Sequence, residues 1–354
     1  MQSLIRSYGD TDFITGLRAI AAFMVIAIHT GAFRDFGLLG NVITDNGKYG
    51  VQVFFVISGF TIAQTYRTAS GFWPYFGRRF MRIAPLYYFL ILVGFALILT
   101  RSIPTPYWMD FYGSQPDLYN LLMHLSFLSP LDARVTASIL GVEWTIPIEM
   151  FWYLVLPLFL PIALIRRRVV MVLAGLLVLA AATRAIGHFT LPPSGAHFLP
   201  FTYGAYFFLG ALCDALRREW VAGAIADRMR WLYASYGLFA LALTTDIGVN
   251  SALFGIATAG IIVFHPGSNL RKGVLGARPI LFLGSISYSL YLIHYLIISL
   301  AQTVPDWFPS SGLGYFAVIA ALTTAASTLT YLLIERPSNL LGRRMFERLR
   351  TADA

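Results

Sequence analysis

LRAIAAFMVIAIHT, residues 17–30, reads as the middle of an apolar helix that carries Arg18 near one end and His29 near the other. About 20 apolar residues cross a hydrocarbon layer of about 30 Å, so the surrounding stretch 13–32 is a predicted transmembrane helix. At 100° per residue, the step from Arg18 to His29 returns to nearly the same helix face with a rise of about 16 Å. A cation and an imidazole on one face are costly against lipid, and that face is expected to look into a bundle. Snorkelling to headgroups would accommodate Arg18 alone, and an interhelical hydrogen bond would accommodate His29 alone. Together they fit a polar site that crosses much of the membrane.

The rest of the chain agrees with a membrane setting. Of 354 residues, 57 % are apolar and 12 % charged, against about 25 % charged in soluble domains. Apolar stretches recur at 13–32, 50–67, 83–100, 144–164, 169–186, 198–216, 231–246, 249–266, 280–301 and 314–334, which predicts an all-α, polytopic transmembrane helical bundle of about ten spans. The pair 231–246 and 249–266 is expected to pack tightly around Asp246 and Asn250. With this segmentation, 20 of the 26 basic residues fall on one side, in clusters at Arg6, 67–82, 166–168, 217–230, 271–278 and 336–350. Arg34, Lys48, Arg101, Arg134 and Arg184 fall on the other. Positive charge marks the inner side, so both termini are expected to be cytoplasmic.

The chain 1–354 is read as a single domain, with 101–143 as a long outward-facing loop that either covers the bundle or lines an acceptor entrance. No cleaved signal peptide is expected. The net charge of +9 follows membrane topology, and no nucleic-acid, nucleotide or zinc pattern accompanies it. Cys213, the single cysteine, cannot form an internal disulfide.

Four further stretches carry candidate chemistry. In RRFMRIAPLYY, 78–88, Arg78 and Arg82 share a face at the inner mouth of the third span, with Arg79 beside them and Pro85 in its first turns. Singly these arginines suit positive-inside anchoring; as a group their planar donors suit a phosphate clamp. In GKYGVQVFFVISGF, 47–60, Ser58 and Gly59 offer a small surface for another helix or a slender ligand chain. In EWTIPIEMFWY, 143–153, Glu149 lies in the outer part of its span at the depth of His29, where it could orient the histidine or act as the base itself. Glu143 and Trp144 are read there as interface anchors. In SISYSLYLIHYLI, 285–297, Ser287, Tyr291 and His294 share a face and read as a supporting hydrogen-bond network. His124, His188, His197 and His265 are read as structural, and Glu335 of IERPSN, 334–339, as a partner for an inner arginine.

An outer base, a cation lower on the same helix and an inner arginine cluster suggest transfer from a cytosolic phosphorylated donor to an outward acceptor. An acyl-coenzyme A has the matching shape: a phosphate-rich head and a thin arm ending in a thioester. A neutral histidine is suited to take a proton from a sugar hydroxyl near pH 7.

The stretches 17–29, 50–60, 78–88, 143–153, SYSLYLIH at 287–294 and ERP at 335–337 resemble, in order and over essentially the whole chain, the acyltransferase-3 family, especially its exopolysaccharide and O-antigen O-acetyltransferases. The resemblance implies a membrane O-acyltransferase of about ten spans, with acetyl-coenzyme A or another acyl-coenzyme A as donor substrate, no tightly bound cofactor and no metal. It implies His29 as catalytic residue, Glu149 as the motif acid, and Arg18, Arg78, Arg79 and Arg82 on the donor side. The motif that often reads tryptophan, serine, leucine is Trp144, Thr145, Ile146 here, and Trp152 stands where phenylalanine or tyrosine is frequent. Some members carry a soluble esterase-like domain; none is read here, which points to the polysaccharide-acetylating type. The expected setting is the bacterial cytoplasmic (inner) membrane, multi-pass, with a polysaccharide or lipid-linked glycan acceptor, membrane lipid and polysaccharide-biosynthesis proteins as partners. A glycan or lipid-linked sugar transporter without acyl-transfer chemistry is the alternative, although it has no need of a His and Glu at one depth.

Overall fold

The computed structural model describes residues 9–163, 169–192, 194–220, 225–267, 273–309 and 311–352, and every regular element in them is helical. The main helices are α1 Asp12–Thr30, α2 Gly37–Asn46, α3 Gly50–Arg67, α4 Phe72–Leu99, α5 Tyr107–Tyr112, α6 Leu118–Leu125, α7 Thr145–Ala163 and α8 Val169–Thr190. They continue as α9 Gly204–Trp220, α10 Ile225–Thr244, α11 Asn250–Phe264, α12 Arg278–Ser285, α13 Ser287–Ala301, α14 Gly312–Thr330 and α15 Arg336–Ala352. Each of the predicted apolar stretches falls on one or two of these helices.

By length and hydropathy, Asp12–Thr30, Phe72–Leu99, Val170–Thr190 and Gly312–Phe346 can cross a membrane, and α12 with α13, bent by 71°, would make a fifth span. Thr145–Pro161 and Asn250–Phe264 are apolar but shorter. Among the basic residues counted above, Arg6, Arg166, Arg167, Arg168, Arg271 and Lys272 lie outside the described residues.

Three departures from the sequence reading have local causes. The third predicted span begins at Phe72, because FWPYFGRRF continues the helix toward its amino terminus. Pro85 is therefore mid-helix, where it withholds the N–H that would reach the Met81 carbonyl. The expected loop 101–143 contains α5, α6 and a buried irregular return through Ser129, Thr136, Ser138 and Glu143.

The chain divides into two compact units; four of the five divisions fall within α3, α9, α13 and α14, and the fifth lies between α13 and α14. The first unit comprises Met1–Thr61, Tyr206–Tyr291 and Phe308–Thr324. Phe13, Leu17, Ala21 and Met24 line one side of α1 at helical spacing, and they share a core with Val53, Val56, Ile57 and Phe60 of α3 and Phe254 and Ile261 of α11. Gly31, at φ 65°, closes α1 by returning its N–H to Ala27 and Ile28, which leaves His29 in the last turn. Asn46 and Asn250 both donate to the Ala242 and Thr245 carbonyls at the end of α10, which would otherwise lack partners.

Within this unit α3 and α9 meet at backbone distance. A Cβ on Gly59 would collide with the Phe207 carbonyl, and one on Gly210 with the Val56 carbonyl. The small surface read at Ser58 and Gly59 is thus occupied, at Gly59, by a helix. Gly59→Ala should cost about 1–3 kcal/mol through overpacking, and a fall of several degrees in the unfolding midpoint of the detergent-purified protein is the expected measurement.

The second unit comprises Ile62–Ala205, Leu292–Trp307 and Ala325–Ala354. Its central helix, α4, receives Phe346 of α15 against Gly77 and the Leu140 and Ile139 side chains against Gly94. The return before α7 is held there, between helices, and is no surface loop.

Candidate active site

His29 stands on α1 in the first unit, exposed, with Arg18 half-buried lower on the same unbroken helix. Its Nδ1 lies 2.9 Å from the Val25 carbonyl oxygen. A carbonyl only accepts, so Nδ1 carries the hydrogen and the neutral ring keeps its lone pair on Nε2. That tautomer follows from α1 being helical through residue 30, since the carbonyl four residues back is where a helical imidazole finds its partner. Ser58, on α3, is buried in the same unit.

In the second unit the arginines of α4 are not equivalent. Arg78 and Arg82 are half-buried, whereas Arg79 is 5 % exposed. The Arg79 guanidinium donates to Thr65 Oγ1 at 2.6 Å and lies 5.4 Å from the centre of the Tyr153 ring. Tyr153, fully buried on α7, donates its hydroxyl to Glu149 Oε1 at 2.6 Å. Glu149 and Tyr153 are one helical turn apart, and through the tyrosine the carboxylate is connected to Arg79. The buried Tyr75 hydroxyl, one turn before Arg79, has no hydrogen-bond partner among the described residues. A polar ligand atom could satisfy it.

The same unit contains a second polar layer. Trp144, 9 % exposed, packs against His197 at 4.8 Å and against Phe198 and Tyr203 at 5.7 Å, between ring centres. Tyr203 is hydrogen-bonded to His197, and Trp152 donates to the Pro200 carbonyl at 2.9 Å, so two tryptophans fix α7 against 197–203. Glu143 is completely buried and pairs with His124 at 3.2 Å. The interface-anchor reading of Glu143 and Trp144 gives way to burial inside the unit. On α13, Ser287, Tyr291 and His294 are all buried.

The structure therefore joins Arg79 to Glu149, with Thr65 and Tyr153 as members the sequence reading missed. The four-residue spacing of Glu149 and Tyr153 was the available signal for the second of these. Tyr153→Phe keeps the ring at Arg79 but removes a hydrogen bond to a carboxylate worth about 1.5–3 kcal/mol. If Glu149 works in the reaction, steady-state kinetics should show kcat lowered about tenfold or more with little change in donor KM.

A family model described as an acyltransferase domain matches residues 11–332. The chain belongs to the acyltransferase-3 family and is an O-acyltransferase. It is 27 % identical to the acyltransferase MdmB of Streptomyces mycarofaciens, over 94 % of this chain and 92 % of that protein. It is 26 % identical to nodulation protein 10 of Rhizobium leguminosarum bv. viciae, over 96 % of this chain and 97 % of that one. With the O-acetyltransferase OatA of Staphylococcus aureus (strain NCTC 8325 / PS 47) the identity is 27 %, over 94 % of this chain and 58 % of OatA. No solved structure matches the chain. Family membership assigns acyl-transfer chemistry, which the transporter alternative lacks.

Proposed function

We propose that the chain transfers an acyl group, acetyl in the first instance, from acyl-coenzyme A to a hydroxyl of a cell-surface polysaccharide or its lipid-linked precursor. The observation that carries this reading is the contact of His29 Nδ1 with the Val25 carbonyl at 2.9 Å, which in a neutral ring puts the lone pair on Nε2. In the proposed step Nε2 takes the hydroxyl proton and the oxygen attacks the thioester carbonyl. The tetrahedral adduct then expels the coenzyme A thiolate, which recovers the proton from His29.

Arg78, Arg79 and Arg82 hold the donor phosphates in this scheme, and Arg18 and Ser58 flank the donor arm. Glu149 is the second catalytic residue, its charge coupled to Arg79 through Tyr153. Trp144, Ser287, Tyr291 and His294 support the site. The donor is a substrate and no resident cofactor or metal is invoked.

The reading includes one functional domain of about ten spans in the bacterial cytoplasmic (inner) membrane, with both termini inside and 101–143 outward. The twenty-to-five division of basic residues supports that orientation. Proteoliposomes given labelled acetyl-coenzyme A and a glycan acceptor should form alkali-labile ester label with the wild-type protein and almost none with His29→Ala. Equal labelling by both proteins would remove His29 from the chemistry, and label crossing the bilayer without new ester would favour transport.

A further inference from the structure

His124 and Glu143 lie outside the chemistry described so far, yet both are completely buried. His124 Nδ1 is 2.9 Å from the Asn120 backbone carbonyl, one turn earlier on α6, so Nδ1 bears a hydrogen. Its Nε2 faces Glu143 Oε1 at 3.2 Å. With Nδ1 already protonated, that contact is attractive only when one further proton lies between Nε2 and Oε1. Without it, a lone pair would face a carboxylate oxygen between two completely buried side chains. Either placement of that proton makes the pair neutral as a whole, the condition under which burying it is least costly.

The pair also closes the irregular return. Glu143 Oε1 accepts from the Ile139 N–H at 2.8 Å, and Asn120 Nδ2 donates to Ser138 Oγ at 2.9 Å. Ser138 is thereby tied directly to Asn120 on α6, and Ile139 is tied through Glu143 to His124, one turn further on. The next residues are Trp144 and the first turn of α7, the helix that carries Glu149 and Tyr153.

We infer that His124 and Glu143 are positioning residues for acyl transfer: one shared proton fixes the amino-terminal end of α7 and so sets where Glu149 lies. The inference rests on the proposal that Glu149 belongs to the reacting site. Arg79 is separately held by Thr65, so donor binding should be spared.

Glu143→Gln keeps the shape of the side chain but cannot carry a proton on the oxygen that accepts from Ile139. It should lower kcat at least tenfold while donor KM stays within about twofold. Adding His124→Gln supplies an amide N–H for that oxygen, and the double variant should return to within about threefold of wild-type kcat. Wild-type turnover by Glu143→Gln, a double variant no better than the single one, or a donor KM that rises with the fall in kcat would each overturn the inference. If Glu143→Gln is not recovered folded, Ser138→Ala decides: it removes the neighbouring tie to Asn120, with the local bond to the Val135 carbonyl, and should lower kcat about threefold at constant KM, whereas wild-type kinetics would overturn the idea. Glu149→Gln measured alongside separates the two readings. Full turnover by that protein removes Glu149 from the site, while an impaired Glu149→Gln beside an unimpaired Glu143→Gln removes only the positioning role.

Discussion

His29→Ala should reduce acetyl transfer by about 10²–10⁴-fold, the usual contribution of a positioned general base. His29 is an exposed side chain in the last turn of α1, so the loss should come without a comparable loss of folded protein. His29→Gln sharpens the test: its amide can still donate to Val25, but it has no basic nitrogen, and it should be as inactive as the alanine variant. Retained turnover in the glutamine protein would mean that the ring serves only as a hydrogen-bonding post. Direct transfer also predicts that donor alone leaves no acyl group on the peptide containing residues 17–30; mass spectrometry after rapid quenching checks this, and a stable acyl-histidine would sink the direct route.

Replacing Arg78 and Arg82 together by alanine should weaken donor binding by about 10²-fold or more, since hydrogen bonds to charged groups are worth about 1.5–3 kcal/mol each. At saturating donor the turnover should fall far less. Arg79→Ala is expected to behave differently, because that buried side chain donates to Thr65 and packs on Tyr153, the hydrogen-bond partner of Glu149. It should lower kcat and protein stability together, besides weakening donor binding. Donor titration against each variant separates these outcomes; unchanged donor affinity in the double variant would refute a phosphate-binding role for Arg78 and Arg82.

What could be read in advance was what helical periodicity encodes. The placement of Arg18 and His29 on α1 and the helical character of every apolar stretch depend on neighbours three or four residues away, and those are visible in a sequence. The choice of Arg79 as the buried arginine was not visible, because it depends on Thr65 from one helix and Tyr153 from another. Glu143 and His124 are 19 residues apart across an irregular stretch with no period to follow. A glutamate beside a tryptophan at a helix entrance therefore looked like a surface anchor. The 71° break between α12 and α13 was likewise hidden, since no proline marks the join at Ser285 to Ser287.

The seating of α1 has a consequence for how the protein is made. Gly16 lies against the Leu275 backbone and Thr15 against Gly284, so the helix bearing His29 docks on chain that is synthesised long after it. At about 5–20 residues per second the wait is roughly 13–55 s. During that time α1 can pack on α3 and then α11, but not on the backbone at Leu275 and Gly284. The seat of α1 is thus completed only by the arrival of α12, and a chain stalled before residue 275 would hold His29 on a helix packed on α3 and α11 but lacking its backbone contacts at Leu275 and Gly284.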